Sequence, residues 1–174
     1  MELLTVGHGP DGRQELGARL AVTGVRRVVD VRRFPASRVN PDVAGDALAV
    51  WLPEIGIGYR WEERLGGRRR IPSGAPVADA WWTVAQFAAY AAHTRTPEFA
   101  AALDEVVAEA TTEPVAVMCS EYLWWRCHRR LIADVAVLAH GVPVQHVMPD
   151  GGLVDHKVAE GARLGADGLV HWPG

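Results

Sequence analysis

Short apolar runs alternate with amphipathic stretches along the chain. The runs are typical of strands buried on both faces, and the stretches repeat apolar residues every three or four positions, as helices do. Strands are predicted at residues 3–6, 25–31, 58–61, 115–118 and 142–147, and helices at 11–23, 46–55, 79–94, 97–110 and 126–140. This alternation predicts an α/β protein, a three-layer sandwich with a mainly parallel central sheet.

One domain accounts for the whole chain. Its 174 residues are 49% hydrophobic and 22% charged, which is ordinary globular composition and long enough to bury a core. The sequence has no internal repeat, low-complexity tract or linker, so residues 1–174 are predicted to form a single domain. Residues 148–174 are predicted to be a tail beyond the last strand, opening with a turn and then glycine-rich without a clear period.

The composition limits the compartment and the partners. Two cysteines and no charged-plus-apolar leader predict a reduced, cytoplasmic protein. No apolar run approaches the roughly 20 residues of a membrane span, so no membrane partner is expected. The net charge of −3 gives no overall attraction to nucleic acid, but only Lys157 among the 18 basic residues is a lysine, and many arginines cluster in predicted loops.

The densest run of reactive side chains is VAVMCSEYLWWRCHRR at residues 115–130. Cys119 follows a predicted buried strand and Cys127 precedes the next helix, so both are expected at the edge of the sheet where ligands bind in open α/β folds. A thiol beside helix amides and arginines has its thiolate favoured, so either cysteine could be a nucleophile or a redox thiol. The competing interpretation is that both thiols pack inertly in the core.

Other residues of this run could complete a site. Glu121 or His128 could move a proton, and Arg129 offers a planar fork for phosphate. The alternative is a metal or haem bound through Cys119, Cys127 and His128, although the two cysteines lack the short spacing of common zinc sites. Beyond this possibility, the sequence leaves the cofactor unknown.

The ends of the first two strands also carry reactive side chains. His8 lies between two glycines after the first strand, where a backbone can come close to a ligand. Asp30 and Arg32 end the second strand and point to the same side of an extended chain. They could pair with each other, or Asp30 could hold a catalytic histidine or arginine in place.

Basic and aromatic residues in predicted loops suggest an anionic ligand. The loop after the second strand contains Arg38, and the loop at 65–74 contains Arg68 in a run of three arginines that could wrap a phosphate backbone. Trp124, beside the cysteines, offers a face for base stacking. The tryptophans of the predicted helix at 79–94 are expected to pack in the core.

A set of motifs spans residues 3–147: TVGHG, DVRRFPASRVNP, LGGRR, an aromatic helix followed by TPEF, and MCSE followed by CHRRLIADVAVLAHG. This set resembles the bacterial and archaeal family named domain of unknown function 488. The resemblance implies an α/β sandwich with its motifs at one sheet edge, and some relatives carry labels linking them to DNA repair. The family's first loop usually reads Gly-His-Ser, whereas this chain has Gly9, which puts in doubt any role that needs a hydroxyl there. By motif match, the shared site is His8, Asp30, Arg32, Cys119, Glu121, Cys127, His128 and Arg129.

The leading hypothesis is a cysteine-dependent enzyme whose substrate is anionic, a nucleotide or nucleic acid, with a repair role as one form of it. One alternative is an accessory module that binds nucleic acid without chemistry, and another is a metal- or haem-binding protein. The catalytic candidates are Cys119, Glu121, Cys127, His128, His8 and Asp30. The substrate-binding candidates are Arg32, Arg38, Arg68, Arg129 and Trp124.

Overall fold

The computed structural model describes residues 1–174 and contains a central sheet flanked by helices. The strands of this sheet are β1 Leu3–Gly7, β2 Arg27–Asp30, β3 Gly58–Trp61, β4 Val115–Cys119, β5 Val144–Val147 and β6 Leu153–Asp155. The helices are α1 Arg13–Thr23, α2 Gly45–Glu54, α3 Ala85–His93, α4 Pro97–Ala110 and α5 Arg129–His140. A second, two-stranded sheet is formed by β7 Arg163–Leu164 and β8 Val170–His171. No helix is both long and apolar enough to cross a lipid bilayer.

The central sheet has the strand order β3-β2-β4-β1-β5-β6, and only β6 runs antiparallel to its neighbour. Its inner strands are continuous apolar runs because helices cover both faces. Leu16 and Leu20 of α1 pack with Leu48 and Leu52 of α2 on one face, whereas α3, α4 and α5 cover the other. The predicted α/β three-layer sandwich with a mainly parallel sheet is confirmed.

The direction of the connections reverses between β1 and β4. From β1 the chain passes through α1 to β2, toward the β3 edge of the sheet. From β4 it passes through α5 to β5, toward the β6 edge. β1 and β4 are neighbours, with Gly7 opposite Cys119, and the chain continues from β1 to α1 on one face of the sheet and from β4 to α5 on the other. The carboxyl ends of these two strands are therefore the switch point of the sheet, where a crevice is expected. In open α/β sheets such a crevice is the usual place for a ligand.

The segment before α3 differs from the sequence prediction. The predicted helix began at residue 79, but α3 begins at Ala85, and both tryptophans precede it. The Asp79 carboxylate accepts hydrogen bonds from the Arg95 guanidinium at 2.6 and 2.9 Å and from the Trp172 backbone amide at 3.1 Å, which anchors this segment outside a helix. Trp82 is nevertheless buried in the core, as expected.

The glycine-rich end of the chain, which has no clear period in the sequence, packs against α5. β7 and β8 pair antiparallel, and Trp172, which follows them, is fully buried. The Trp172 indole N–H donates a hydrogen bond to the buried Asp134 carboxylate of α5 at 2.9 Å. The tail therefore contributes to the hydrophobic core.

Candidate active site

A cavity of about 370 Å³ opens at the carboxyl ends of β1, β2 and β4. Small-molecule sites occupy about 300–1,000 Å³, so this cavity is at the lower end of that range. The segments that follow β1, β2 and β4 form its walls together with α3. The lining residues are His8, Arg32, Arg33, Phe34, Ala36, Ser37, Gly67, Arg68, Gln86, Phe87, Tyr90, Cys119, Ser120, Glu121, Arg126, Cys127 and His128.

Both cysteines line this cavity as buried free thiols. Cys119 ends β4, and Cys127 lies between a 3-10 turn at Trp124–Arg126 and α5. Because this turn precedes the helix, α5 begins at Arg129 and not at residue 126, as was predicted. His128 Nδ1 lies 3.9 Å from Cys119 Sγ and 3.7 Å from Cys127 Sγ. The fold thus brings two thiols and one imidazole together.

The tautomer of His128 follows from its backbone contact. Its Nε2 lies 3.0 Å from the Val31 carbonyl oxygen, which can only accept a hydrogen bond, so the neutral ring carries its proton on Nε2. The lone pair of Nδ1 then faces both sulfur atoms and can take a proton from either thiol. Tyr90 packs on the ring at a centroid distance of 4.8 Å and limits its rotation.

Arg129 is a buried cation whose side chain turns toward Cys127. The residue is 1% exposed; its Nε donates to Cys127 Sγ at 3.2 Å, and its Nη2 donates to the Glu121 carbonyl oxygen. It forms no ion pair with a carboxylate. A buried charge without a partner is costly, so the Cys127 sulfur is the natural counter-charge.

The surroundings separate the acidities of the two thiols. Burial alone would raise the pKa of Cys127, but the neighbouring Cys119 thiol, the charge of Arg129 and the contact with His128 hold that pKa well below the ordinary thiol value. The neighbouring Cys127 and then burial raise the pKa of Cys119 well above its ordinary value. Of the two thiols, Cys127 is therefore the one that ionises first.

Asp30 fixes Arg32 at the edge of the cavity. Its fully buried carboxylate accepts hydrogen bonds from Arg32 Nε at 2.8 Å, from Arg32 Nη2 at 2.6 Å and from the Tyr59 hydroxyl at 2.8 Å. The remaining guanidinium nitrogen, Nη1, lies 3.3 Å from His8 Nε2. Asp30 therefore pairs with Arg32, as one of the two interpretations from the sequence has it, and Arg32 in turn contacts His8.

His8 is held as a neutral ring. Its Nδ1 lies 2.8 Å from the Gly9 carbonyl oxygen and donates to it, so the lone pair of Nε2 accepts from Arg32. Burial lowers the pKa of His8, and the nearby charge of Arg32 lowers it further. Both ring nitrogens are therefore engaged within the protein, and the ring adds no positive charge at neutral pH.

Three arginines around the cavity have guanidinium groups free to bind an anion. Arg33, Arg68 and Arg126 line it, and none of them makes a side-chain hydrogen bond or an ion pair within the protein. Glu121 is the only carboxylate in the lining. The balance of charge therefore favours ligands that carry phosphate or carboxylate groups.

Most residues singled out from the sequence meet here. Those that line the cavity are His8, Arg32, Arg68, Cys119, Glu121, Cys127 and His128, while Asp30 lies behind Arg32 and Arg129 lies against Cys127 without lining the cavity. Arg38 is exposed and lines a different hollow. Trp124 stacks on His146 with 4.1 Å between ring centroids and 5° between planes, so one face of its ring is covered.

The aromatic wall of the cavity was not predicted from the sequence. Phe34 follows β2, and Phe87 and Tyr90 project from α3 into the lining. The three-residue spacing of Phe87 and Tyr90 places them on one face of a helix, a signal that was visible in the sequence. Only the packing of α3 on α5 shows that this face turns toward the cysteines.

Gly9 occupies a position that admits no side chain. Its φ of +51° lies in the left-handed region, and a Cβ built here would come within 2.3 Å of the Tyr122 ring. The Tyr122 hydroxyl donates to Asp11 at 3.0 Å, and the Arg19 guanidinium lies 5.1 Å from the ring centroid. A fixed tyrosine ring therefore fills the space that the serine of the family pattern would need.

Gly9→Ser is therefore expected to lower the free energy of unfolding by about 1–3 kcal/mol. Urea denaturation followed by circular dichroism measures the loss. Gly24→Ser is the matched control, because Gly24 also has a positive φ, +71°, but nothing lies within 4 Å of its Cβ position. Equal losses in the two variants would show that backbone strain, and not the Tyr122 ring, excludes the side chain.

Helices on both faces of a parallel sheet, with two thiols, an imidazole and arginines at the crevice, define a doubly wound α/β protein with a thiol site. The chain belongs to the family described as Domain of unknown function DUF488, whose model matches residues 13–136. The resemblance seen in the motifs is thereby confirmed, and the match includes both cysteines, His128 and Arg129. No curated protein and no solved structure matches the chain.

Proposed function

We propose that the protein is a thiol-dependent enzyme that acts on an anionic substrate, a nucleotide or nucleic acid. The observation that carries this proposal is the contact between buried Arg129 and Cys127 Sγ at 3.2 Å, with no carboxylate to neutralise the arginine. Inert core cysteines need no buried cation, whereas a nucleophilic thiolate does. The cavity gives a substrate access to this sulfur.

The chemistry follows from the positions of the atoms. When Cys127 loses its proton, His128 Nδ1 is within reach to take it. Cys127 Sγ then forms a bond to an electrophilic carbon or phosphorus of the substrate, and the bond to the leaving group breaks with its electron pair. The protonated His128, or Glu121, gives the leaving group a proton. A water molecule attacks the adduct, returns its proton to the same group, and releases the thiolate.

The nucleotide class is favoured by the mixture of groups around the sulfur. Arg33, Arg68 and Arg126 suit a phosphate, while the rings of Phe34 and Phe87 offer apolar surfaces for a base. The small volume suits one nucleotide unit rather than a stacked helix. A modified or damaged base taken out of its strand is the repair-related form of such a substrate.

A metal or haem-iron site is the second candidate, and one observation favours it. Cys119 Sγ, Cys127 Sγ and a ring nitrogen of His128 all lie within 4.8 Å of one another, which is a partial set of zinc or iron ligands. In that case Cys127 would be shared between the ion and Arg129, and a substrate or water would supply a further ligand.

Thiol alkylation tests these proposals on the purified protein. Iodoacetamide labelling across pH, read by mass spectrometry, is expected to modify Cys127 before Cys119 and with an apparent pKa below the free value of about 8.5. A nucleoside monophosphate should slow the labelling several-fold, and Cys127→Ser provides the background.

Other outcomes identify the alternatives. Stoichiometric zinc or iron by elemental analysis, with labelling only after chelation, would favour the metal site. If neither thiol reacts and no metal is found, the result would favour the alternative of an accessory module that binds nucleic acid without chemistry. Turnover that survives both Cys119→Ser and Cys127→Ser would also contradict the thiol mechanism.

A further inference from the structure

An open groove of about 1250 Å³ adjoins the cavity. The two share Arg33, Phe34, Arg68 and Gln86 as lining residues, so the groove leads directly into the thiol site. It continues along the basic loop after β3 toward the start of α3. Because the volume of the groove exceeds that of the cavity, the groove has room for more than the one nucleotide that is proposed to fit the cavity.

Every charged residue that lines the groove is an arginine. Arg33, Arg68, Arg69 and Arg70 line it, and its lining contains no acidic residue. This concentration stands out in a chain whose net charge is −3. Arg69 is occupied, since it donates to the carbonyl oxygens of Glu63 and Gly66 at 3.0 Å each and to that of Arg64 at 3.3 Å, and it shapes the loop.

The other arginines of the groove have no partner within the protein. Arg33, Arg68 and Arg70 form no ion pair and no side-chain hydrogen bond. Arg68 lies where the groove meets the cavity and is the only non-glycine residue with a positive φ, 56°. Free guanidinium forks along a path suit a series of phosphates better than a single one.

An exposed aromatic ring also lies in the groove. Phe34 is 63% exposed and its ring lies 6.0 Å from the Arg68 guanidinium. An exposed ring beside arginines is the kind of surface on which single-stranded nucleic acid stacks.

We infer that the groove binds a single-stranded nucleic acid and that one nucleotide of this strand enters the cavity. The inference rests on the proposed function and specifies its substrate as a strand rather than a free nucleotide. A duplex does not meet the geometry, because Cys119 and Cys127 are only 8% and 4% exposed and a stacked, paired base cannot reach them.

Fluorescence anisotropy with a labelled 12-nucleotide single strand tests this. Arg68→Gln combined with Arg70→Gln is expected to weaken binding at least tenfold and to reduce the salt dependence, since each lost phosphate contact lowers the slope by about 0.7. Arg26→Gln is the matched control, because Arg26 is an exposed arginine just before β2, outside both the groove and the cavity, and it should bind like the wild type. Circular dichroism checks that the variants fold.

Three results would overturn the inference: no binding by the wild-type protein, equal weakening by Arg26→Gln, or a duplex bound as tightly as the single strand. These results are separable from the proposed function. If a nucleoside monophosphate protects Cys127 from alkylation while no strand binds, the groove inference fails and the enzyme proposal stands. If strands bind through the groove while Cys127 is inert, the enzyme proposal fails and binding of single strands by the groove stands.

Discussion

Arg129→Met is expected to slow the alkylation of Cys127 at pH 6 by about 10- to 1000-fold. An opposite charge at this distance lowers a pKa by about 1–3 units, and each unit changes the thiolate fraction tenfold below the pKa. Burial raises the pKa of Cys127 and Arg129 is one of the groups that oppose it, so removal of the guanidinium raises that pKa and lowers the thiolate fraction at pH 6. Methionine fills much of the same buried volume without the charge. Mass spectrometry of the peptide containing Cys127, sampled over time at several pH values, gives the rates.

Arg126→Met is the control for this experiment. Arg126 also lines the cavity but is exposed and makes no contact with either sulfur, so its loss should leave the pH profile of Cys127 nearly unchanged. If Arg129→Met and the wild type label with the same profile, Arg129 serves only the backbone of the cysteine loop. If Cys119 labels first in the wild type, the roles of the two thiols are reversed.

The same contact makes stability depend on pH in a defined direction. The pKa of Cys127 is lower in the folded protein than in the unfolded chain, so folding favours the thiolate. The resulting stabilisation is fully present above the unfolded thiol value, about 8.5, and is lost as the pH falls through the lower folded value. The free energy of unfolding of Arg129→Met should therefore vary less with pH in this window.

The sequence was informative wherever one local pattern decided the outcome. The strands that end in Gly7 and Cys119 are continuous apolar runs, and such runs are recognisable because buried parallel strands have two apolar faces. Asp30 and Arg32 meet because side chains two apart in a strand share a face. Because the carboxyl ends of parallel strands lie at the same edge of the sheet, the motifs that follow these strands are predicted to meet there.

Contacts between distant segments could not be predicted in this way. In the sequence nothing distinguishes Arg129 from the other arginines as a phosphate-binding residue. Its burial and its contact with Cys127 depend on tertiary packing. Trp124 was expected to offer a face for base stacking. One face of its ring is covered by His146, which lies on β5, and no local pattern around Trp124 indicates this contact. The burial of Trp172 depends on a tail whose short strands carry little periodicity.

A buried polar network supports the cysteine loop from the side of α5. The Asp134 carboxylate accepts hydrogen bonds from His156 Nε2 at 2.7 Å, from Trp172 Nε1 at 2.9 Å and from a backbone amide at 3.1 Å. His156 Nδ1 lies 2.9 Å from His146 Nε2, and His146 stacks on Trp124 of the cysteine loop. Burial and then the neighbouring His156 lower the pKa of His146 to about 3, so this ring stays neutral. Asp134 therefore links the tail, β5 and the loop that carries Cys127.

Asp134→Ala should accordingly lower the free energy of unfolding by about 3–5 kcal/mol, because it leaves a buried imidazole and a buried indole N–H without their acceptor. Urea denaturation measures the loss, and Asp104→Ala on α4 is the control, since that carboxylate is 67% exposed and its removal should change little. Because Trp124 is tied to this network, alkylation of Cys127 at pH 9, where the thiol is ionised in any case, should also become faster. A variant with wild-type stability and labelling would mean that packing around Trp172 alone holds the tail, and that the cysteine loop keeps its shape through Arg129.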